Sequence, residues 1–588
     1  MKKYIILGAL AVAALSLTSC DHLLDKNRFP PQTQVNDPAY WNDEGNINLQ
    51  LNGFYGYYTG YGNGATWSTN FYNHGLSDDQ TAYMQSGTGM SFANWNFLQA
   101  PESSSVWSST YTALRRINSV IAGIESSSLL DAVKNNALGI ARLNRAYQYW
   151  DLVRCYGDVP LITEVLDPSD EEALYGPRVD RNTVMDYVLE DLNFAVAHIL
   201  KQSSKIEWSN DMAQAMKAEI CLFEGAYAKY HQNNQERANK YFTEAAKAAE
   251  AVMGKYPLCE DYQSLYNSYY IAQDGIPSLT DNPEIIFMKG YAMGQLANSL
   301  VPYICNQENG GITKDAFDAY LFIDGQPLAN TKDEYKNDAA KVDADGNIVI
   351  DHLLAVRDAR LAKTIESTLG VIEAKMTRPN ANPQYSTTGY MIKKFNNVNI
   401  PIADATTEGR GYTCAPIFWG ARVRLAYAEA KAELGQFTDA EFNKSLKALY
   451  ERAGLPITTV AQLSGMNDPA NNMGVSSLIW EIRRCRRCEL IMDENIRYWD
   501  LIRWHQLDKL DTTKYPNIML GANVKNVPAA MLAGTYLDAT GTYIQSNKTA
   551  NSVMERKFTD REYLYPIGTG QINLYKEHGY TLDQNPGW

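Results

Sequence analysis

Cys485 and Cys488 form a CxxC inside Arg483-Arg484-Cys485-Arg486-Arg487-Cys488. Such a pair binds zinc when two further ligands complete a tetrahedron, but no second CxxC or His pair stands nearby. It also suits thiol–disulfide chemistry, because adjacent guanidinium groups favour the thiolate. The surrounding run has helical spacing, so two helix residues, at least one of them buried, are the expectation. The chain has 7 His, at His22, His74, His198, His231, His352, His505 and His578. None forms a His-Glu-x-x-His ligand pair, and there is neither a Gly-x-Ser-x-Gly elbow nor a Walker lysine loop. Asp343-Ala344-Asp345-Gly346-Asn347 begins like a calcium loop. Ile348 stands where that loop needs Gly and Leu354 where it needs Glu, so a tight turn between strands is expected. Gly60-Tyr61-Gly62-Asn63-Gly64 follows no clear βαβ strand and reads as a flexible loop. Neither a metal nor a cofactor is expected. The 67 acidic residues leave open a carboxylate pair of the glycosidase kind, so a surface glycoside hydrolase stands as a rival class.

The elements that position these groups are mostly helices. Apolar residues recur at helical spacing over 106–124, 130–156, 181–200, 210–230 and 235–253, then again over 415–434, 439–453, 476–493 and 495–506. Gly157-Asp158-Val159-Pro160 ends the second of these. Residues 21–106 read as loops with short helices, 255–413 as an irregular insert, and 507–588 as an irregular tail. Ile285-Ile286-Phe287-Met288 and Gly346-Asn347-Ile348-Val349-Ile350 read as strands or hairpins. Phe223-Glu224-Gly225-Ala226-Tyr227-Ala228 before Glu236, and Leu425 to Gly435 before Thr438, place small residues where two antiparallel helices meet. This resembles a degenerate tetratricopeptide helix–turn–helix unit. Such repeats are scaffolds, and loops inserted between them are the natural place for a ligand.

With 588 residues, a prior of about 150 residues per domain allows roughly four domains or one large unit. Apolar residues are 45% and charged residues 20%, which excludes a disordered chain. The net charge of −14 argues against nucleic acid, which needs clustered cations. There are 39 Tyr and 11 Trp against 16 Phe, and rings with a polar edge suit wet binding surfaces as well as cores. At the N-terminus, Lys2 and Lys3 precede an apolar run from Ile5 to Leu17 that suits a signal peptide and is short for a membrane span. Leu17-Thr18-Ser19-Cys20 is similar to a bacterial lipobox. Residues 1–19 are then a signal peptide and Cys20 the lipidated first residue, anchored to a membrane rather than spanning it. The other seven Cys are odd in number and irregularly spaced, a poor disulfide framework.

Four segments carry a resemblance. Ala141-Arg142 through Arg145-Ala146, Tyr149-Trp150-Asp151-Leu152-Val153 and Tyr156-Gly157-Asp158-Val159-Pro160 form the first, and Gly389-Tyr390 through Lys394-Phe395 the second. Arg483-Arg484 through Glu489-Leu490 to Arg497-Tyr498-Trp499-Asp500-Leu501 is the third. The fourth is Tyr563-Leu564-Tyr565-Pro566-Ile567-Gly568 with the final Asn585-Pro586-Gly587-Trp588. Together they resemble the SusD/RagB family of outer-membrane lipoproteins over nearly the whole chain. The resemblance implies a mainly α fold of four degenerate tetratricopeptide-like helix pairs, with a large loop-rich insert and little β. Residues 20–588 would form one SusD-like unit, with loop-rich residues 21–106, repeats at 107–254 and 414–506, the ligand-lobe insert at 255–413 and a C-terminal segment at 507–588.

It further implies a non-catalytic, surface-exposed protein, lipid-anchored in the outer membrane through Cys20. Such a protein captures an oligosaccharide or polysaccharide and passes it to a SusC-like TonB-dependent barrel transporter. Arg142, Arg145 and Arg154, with Asp151 and Asp158, are expected to tie helices together and not to touch sugar. A sugar presents an apolar C–H face and a rim of hydroxyls, so its site needs flat rings beside polar groups. The candidate regions are 66–70 with 73–79, 94–96, 305–309 with 378–385, and 410–412. The candidate ligand residues are Trp67, Asp78, Trp95, Arg378 and Tyr412. A protein-only or peptide-binding repeat adaptor is the remaining alternative.

Overall fold

In a computed structural model, residues 38–65, 77–81, 99–200, 204–305 and 310–588 are described. Trp67, Trp95, Cys20 and the signal peptide lie outside them. The chain enters through a short helix α1 (Glu44–Asn52), followed by α2 (Ser105–Ser126), α3 (Asp131–Tyr156), α4 (Arg181–His198), α5 (Asn210–Tyr230) and α6 (Gln235–Met253). Except at α3, which follows Leu130, each start is marked by a short polar side chain that accepts from an otherwise orphaned N–H. Ser104 accepts from Trp107, Asp180 from Thr183, Ser209 from Met212 and Asn234 from Arg237. Gly157, at φ 72°, ends α3 in a conformation that costs a side chain dearly.

The helices pack as antiparallel neighbours: α2 on α3, α3 on α4, and α5 on α6. Small residues permit the last of these contacts. A Cβ on Gly225 would lie 2.7 Å from the Phe242 ring. The expected helix over 415–434 is instead a strand, β2 (Ala415–Trp419), leading into helix α7 (Gly420–Glu433). Pro416 disfavours a helix interior, and Ile417-Phe418-Trp419 pairs antiparallel with β1 (Ile285–Lys289). The expected 439–453 helix divides at Leu446 into Asp439–Ser445 and Lys447–Arg452. Further on come α8 (Ser477–Glu489) and α9 (Ile496–Arg503), and the tail contains an unforeseen helix, Thr569–Glu577. Among the described residues, strands are few and paired in twos. Asp343 to Asn347 forms the turn of one such hairpin, Lys341–Val342 with Ile348–Val349, where Asp343 Oδ1 accepts from the Asn347 N–H at 2.7 Å.

One continuous apolar core runs from Tyr40 to Leu582. Buried ion pairs join its layers. From α8, Arg483 reaches Glu433, Arg484 reaches Glu481 and Asp468, Arg486 reaches Glu219 and Asp500, and Arg487 reaches Asp79 and Asp315. Cys485 and Cys488 are both buried between these arginines. Burial, not the guanidinium groups, governs Cys485, whose thiol is pushed up to about 11. On α3, Arg145 makes a bidentate pair with Asp191, at 2.7 and 3.0 Å, while Arg154 pairs with Asp151. Asp158, expected to join such a pair, instead accepts from the Arg181 backbone N–H at 2.9 Å. That bond positions the first turn of α4.

His231, at the end of α5, stacks on Tyr227 with ring centres 4.0 Å apart, and its Nε2 lies 2.5 Å from the Ile502 carbonyl. Burial pushes its imidazole down to about 3. An unfolded imidazole binds its proton near pH 6.5, so between there and about 3 the unfolded chain holds the extra proton and acid destabilises the fold. The expected loss is about 1.4 kcal/mol per pH unit below that value. Urea unfolding from pH 7.5 to 4.5 measures it. His231→Gln should flatten the acid slope by about one proton, and an unchanged slope contradicts this assignment.

Candidate functional site

β1 and β2 run antiparallel, with Lys289 opposite Ala415. Their ends therefore send two segments, 289–300 and 404–414, out side by side. Asn298 and Gly411 exchange backbone hydrogen bonds at 2.8 Å in both directions, and Asn298 Nδ2 donates to the Thr413 carbonyl at 3.0 Å. Only glycine fits at 411, because a Cβ there would lie 2.7 Å from Asn298 Oδ1 and 2.9 Å from its carbonyl oxygen. A third segment, Thr59 to Ala65, joins the seam. Gly64 N–H donates to the Ala297 carbonyl at 2.6 Å, Ser299 Oγ donates to the Gly64 carbonyl at 2.8 Å, and Gly409 N–H donates to Ser299 Oγ at 2.8 Å. Gly411→Ala is expected to open this seam and lower unfolding free energy by about 1–3 kcal/mol. Denaturant titration checks it, and a change below about 0.5 kcal/mol contradicts the close packing.

Beside the seam lies a cavity of about 340 Å³. Its walls include Tyr55, Tyr270, Phe287, Lys289, Gln295 and Leu296. Tyr55 stacks on Trp208 with ring centres 4.2 Å apart, and its Oη accepts from the Trp208 N–H at 3.0 Å, so this wall is fixed. The Tyr270 ring lies against the backbone of Gly290, where a Cβ would stand 3.2 Å from Tyr270 Cδ2. Lys289 Nζ donates to the Thr59 carbonyl at 3.1 Å and to Asn63 Oδ1 at 2.9 Å. Burial lowers its ammonium to about 8. The arrangement offers rings for an apolar face and an amine and an amide for hydroxyls. Among the described residues, no carboxylate lines this cavity.

Tyr412 sits on this seam, half-buried and perpendicular to Tyr269 at 6.4 Å. Arg410 beside it pairs with Asp404 at 2.9 Å. The other two described candidates are not exposed. Asp78 is buried and accepts from Arg497 Nε and Nη2, both at 2.7 Å. Burial opposes its ionisation, but Arg487 and Arg497 together hold the carboxyl well below its ordinary range. Arg378 is also buried; its Nη2 donates to the Cys305 carbonyl at 2.9 Å, and Glu366 lies 3.7 Å away.

Both therefore differ from the exposed ligand contacts expected from the sequence. Charges in loop-like text are spent on distant partners, and here they pin loop ends. Asp78 fixes the chain before the strand pair Gln80–Thr81 with Gly311–Ile312, and Arg378 fixes the chain before residues 306–309. Trp67, Trp95 and residues 306–309 lie outside the described residues. Sequence reasoning missed Tyr55, Tyr270, Lys289 and Gln295. The only local hint was the Tyr269-Tyr270 pair and a Gly directly after the strand that carries Lys289.

Among the described residues, no group of three or more His, Cys, Asp or Glu side chains is placed to hold a metal ion. No described helix is long and apolar enough to cross a membrane.

The SusD family model matches residues 221–588, and a second model, "Starch-binding associating with outer membrane", matches residues 61–232. The chain belongs to the SusD family. The chain is 24% identical over 172 residues to a SusD-like protein of Formosa agariphila, and 31% identical over 122 residues to one of Bacteroides ovatus. These alignments cover 29% and 20% of this chain, and span only 31% and 22% of the length of those relatives. Two solved structures share the fold almost end to end. A SusD-like carbohydrate binding protein from Bacteroides fragilis has a TM-score of 0.67 at 22% identity, covering 91% of this chain and 99% of its own. A laminarin binding SusD-like protein has a TM-score of 0.55 at 19% identity, covering 92% and 99%.

Proposed function

We propose that this protein is a cell-surface glycan-binding lipoprotein. It is anchored through Cys20, captures oligosaccharides and delivers them to a SusC-like TonB-dependent barrel transporter. It makes and breaks no covalent bond in its ligand. One observation carries the reading: the β1–β2 seam gathers fixed aromatic rings, an ammonium and an amide around one cavity. The same seam holds Tyr412 and the segment Thr59 to Ala65, which precedes Trp67 in the sequence. Pyranose or furanose C–H faces stack on Tyr55 and Tyr270, while Lys289 and Gln295 meet hydroxyls. Trp67 and Trp95, outside the described residues, remain the further ring candidates of this reading. Asp78 and Arg378 act as positioning residues.

Membership of the SusD family and the glycan ligands in the names of two solved relatives support this reading. A few stacking and hydroxyl contacts in water yield about 4–8 kcal/mol, so affinities from micromolar to millimolar are expected. The test is electrophoresis of the mature protein through gels containing laminarin, starch, levan, inulin or yeast mannan. Retardation by at least one polysaccharide is expected, and Trp95→Ala should reduce it. Uniform mobility in every gel overturns the reading.

A further inference from the structure

A second cavity, about 240 Å³, lies between α8 and the segments 315–328, 468–473 and 509–518. It shares no lining residue with the cavity beside the seam. Two half-buried rings, Trp480 and Tyr515, stand in its wall, with exposed Asn472 and Asn517 near them. Both rings are held rigid. Trp480 Nε1 donates to Asp468 Oδ2 at 3.2 Å, and the Arg484 guanidinium lies 5.5 Å from the ring. Lys509 Nζ donates to Tyr515 Oη at 2.8 Å and stands 4.5 Å from that ring. Rings fixed in advance lose little entropy when a ligand stacks on them.

The charges select the ligand. Arg484 is paired with Glu481 and Asp468, Arg487 with Asp78, Asp79 and Asp315, and Arg497 with Asp78. An anion would compete with carboxylates already in place, so the lining does not favour a polyanion. The Arg497 and Asp315 pairs each leave one group over, a donor on the first and an acceptor on the second. Arg497 spends Nε and Nη2 on Asp78, which leaves Nη1. Asp315 meets Arg487 Nη1 through Oδ2 at 2.8 Å and is partly exposed, which leaves Oδ1. The buried Nε of Arg483, also in the lining, has no hydrogen-bond partner among the described residues. A hydroxyl group both accepts and donates, and so matches such a leftover pair.

We propose that this cavity is a second carbohydrate subsite, taking a neutral sugar unit between Trp480 and Tyr515 with its hydroxyls on Arg497 and Asp315. The inference rests on the glycan-binding reading above. Two subsites on one chain raise retention of a long polysaccharide by multivalency without tightening either site.

The test is calorimetric titration with short oligosaccharides of laminarin, starch, inulin and mannan, alongside gel retention of the parent polysaccharides. The wild type, Tyr270→Ala, Tyr515→Ala and the mouth-blocking Asn517→Trp are compared. For the glycan that binds, two sites per chain are expected in the wild type. Asn517→Trp and Tyr515→Ala should each leave one, and weaken polysaccharide retention about tenfold. Tyr270→Ala should leave the second site intact. A single wild-type site that Asn517→Trp does not affect overturns the subsite while the glycan-binding reading survives. So does a loss confined to Tyr515→Ala and accompanied by unfolding. Failure of every glycan to bind overturns both.

Discussion

Glu429→Ala is expected to lower the unfolding free energy by about 3–5 kcal/mol. The carboxylate is fully buried on α7. It accepts from both terminal nitrogens of Arg503, at 2.6 and 2.7 Å, and from the Trp504 indole at 2.6 Å. Arg503 turns its Nε to Asp500 at 2.8 Å, and Asp500 in turn meets Arg486 at 2.8 Å. Alanine leaves a guanidinium half-paired in the core and an indole N–H unsatisfied. Truncating one partner of a buried pair costs far more than the net worth of the intact pair. Glu429→Gln keeps the shape and an acceptor but loses the charge, so its loss should be smaller. Urea denaturation followed by circular dichroism measures both, and a loss under about 1 kcal/mol for the alanine variant contradicts the role given to this network.

Tyr270→Ala should weaken glycan binding about tenfold, or about 1–2 kcal/mol, with little change in stability. The ring is half-buried against Gly290 and forms one wall of the cavity beside the seam. Its removal takes away stacking area but leaves no buried polar group behind. Tyr270→Phe keeps the ring and should retain most of the affinity. Calorimetry with the retained oligosaccharide separates the two variants. Equal affinity for the alanine variant and the wild type removes Tyr270 from the site.

The helices were legible because burial imposes a 3.6-residue period and the caps mark the ends. The segments 210–230 and 235–253 match α5 and α6 in full. Ala415 to Trp419 was misread because a short apolar run satisfies a buried strand and a buried helix turn equally well. Only its pairing with Ile285–Lys289 decides between them. The site was less legible for the same reason. Asp78 looked like a loop carboxylate until Arg497, far along the chain, came to lie 2.7 Å away. Arg378 looked free until the Cys305 carbonyl took its Nη2. Tyr412 lies on the seam because Arg410-Gly411-Tyr412 carries both a ring and the glycine that the seam requires. Lys289 and Gln295 carry no local mark; a pairing of distant segments brings them together.

The most direct measurement is calorimetric titration of the mature protein with the retained oligosaccharide, followed by chain-length analysis of the recovered sugar. The account predicts a saturable heat, weaker in Tyr270→Ala, and sugar returned at its original length. Heat that continues without saturation while new reducing ends accumulate, or no heat from any glycan, would contradict it.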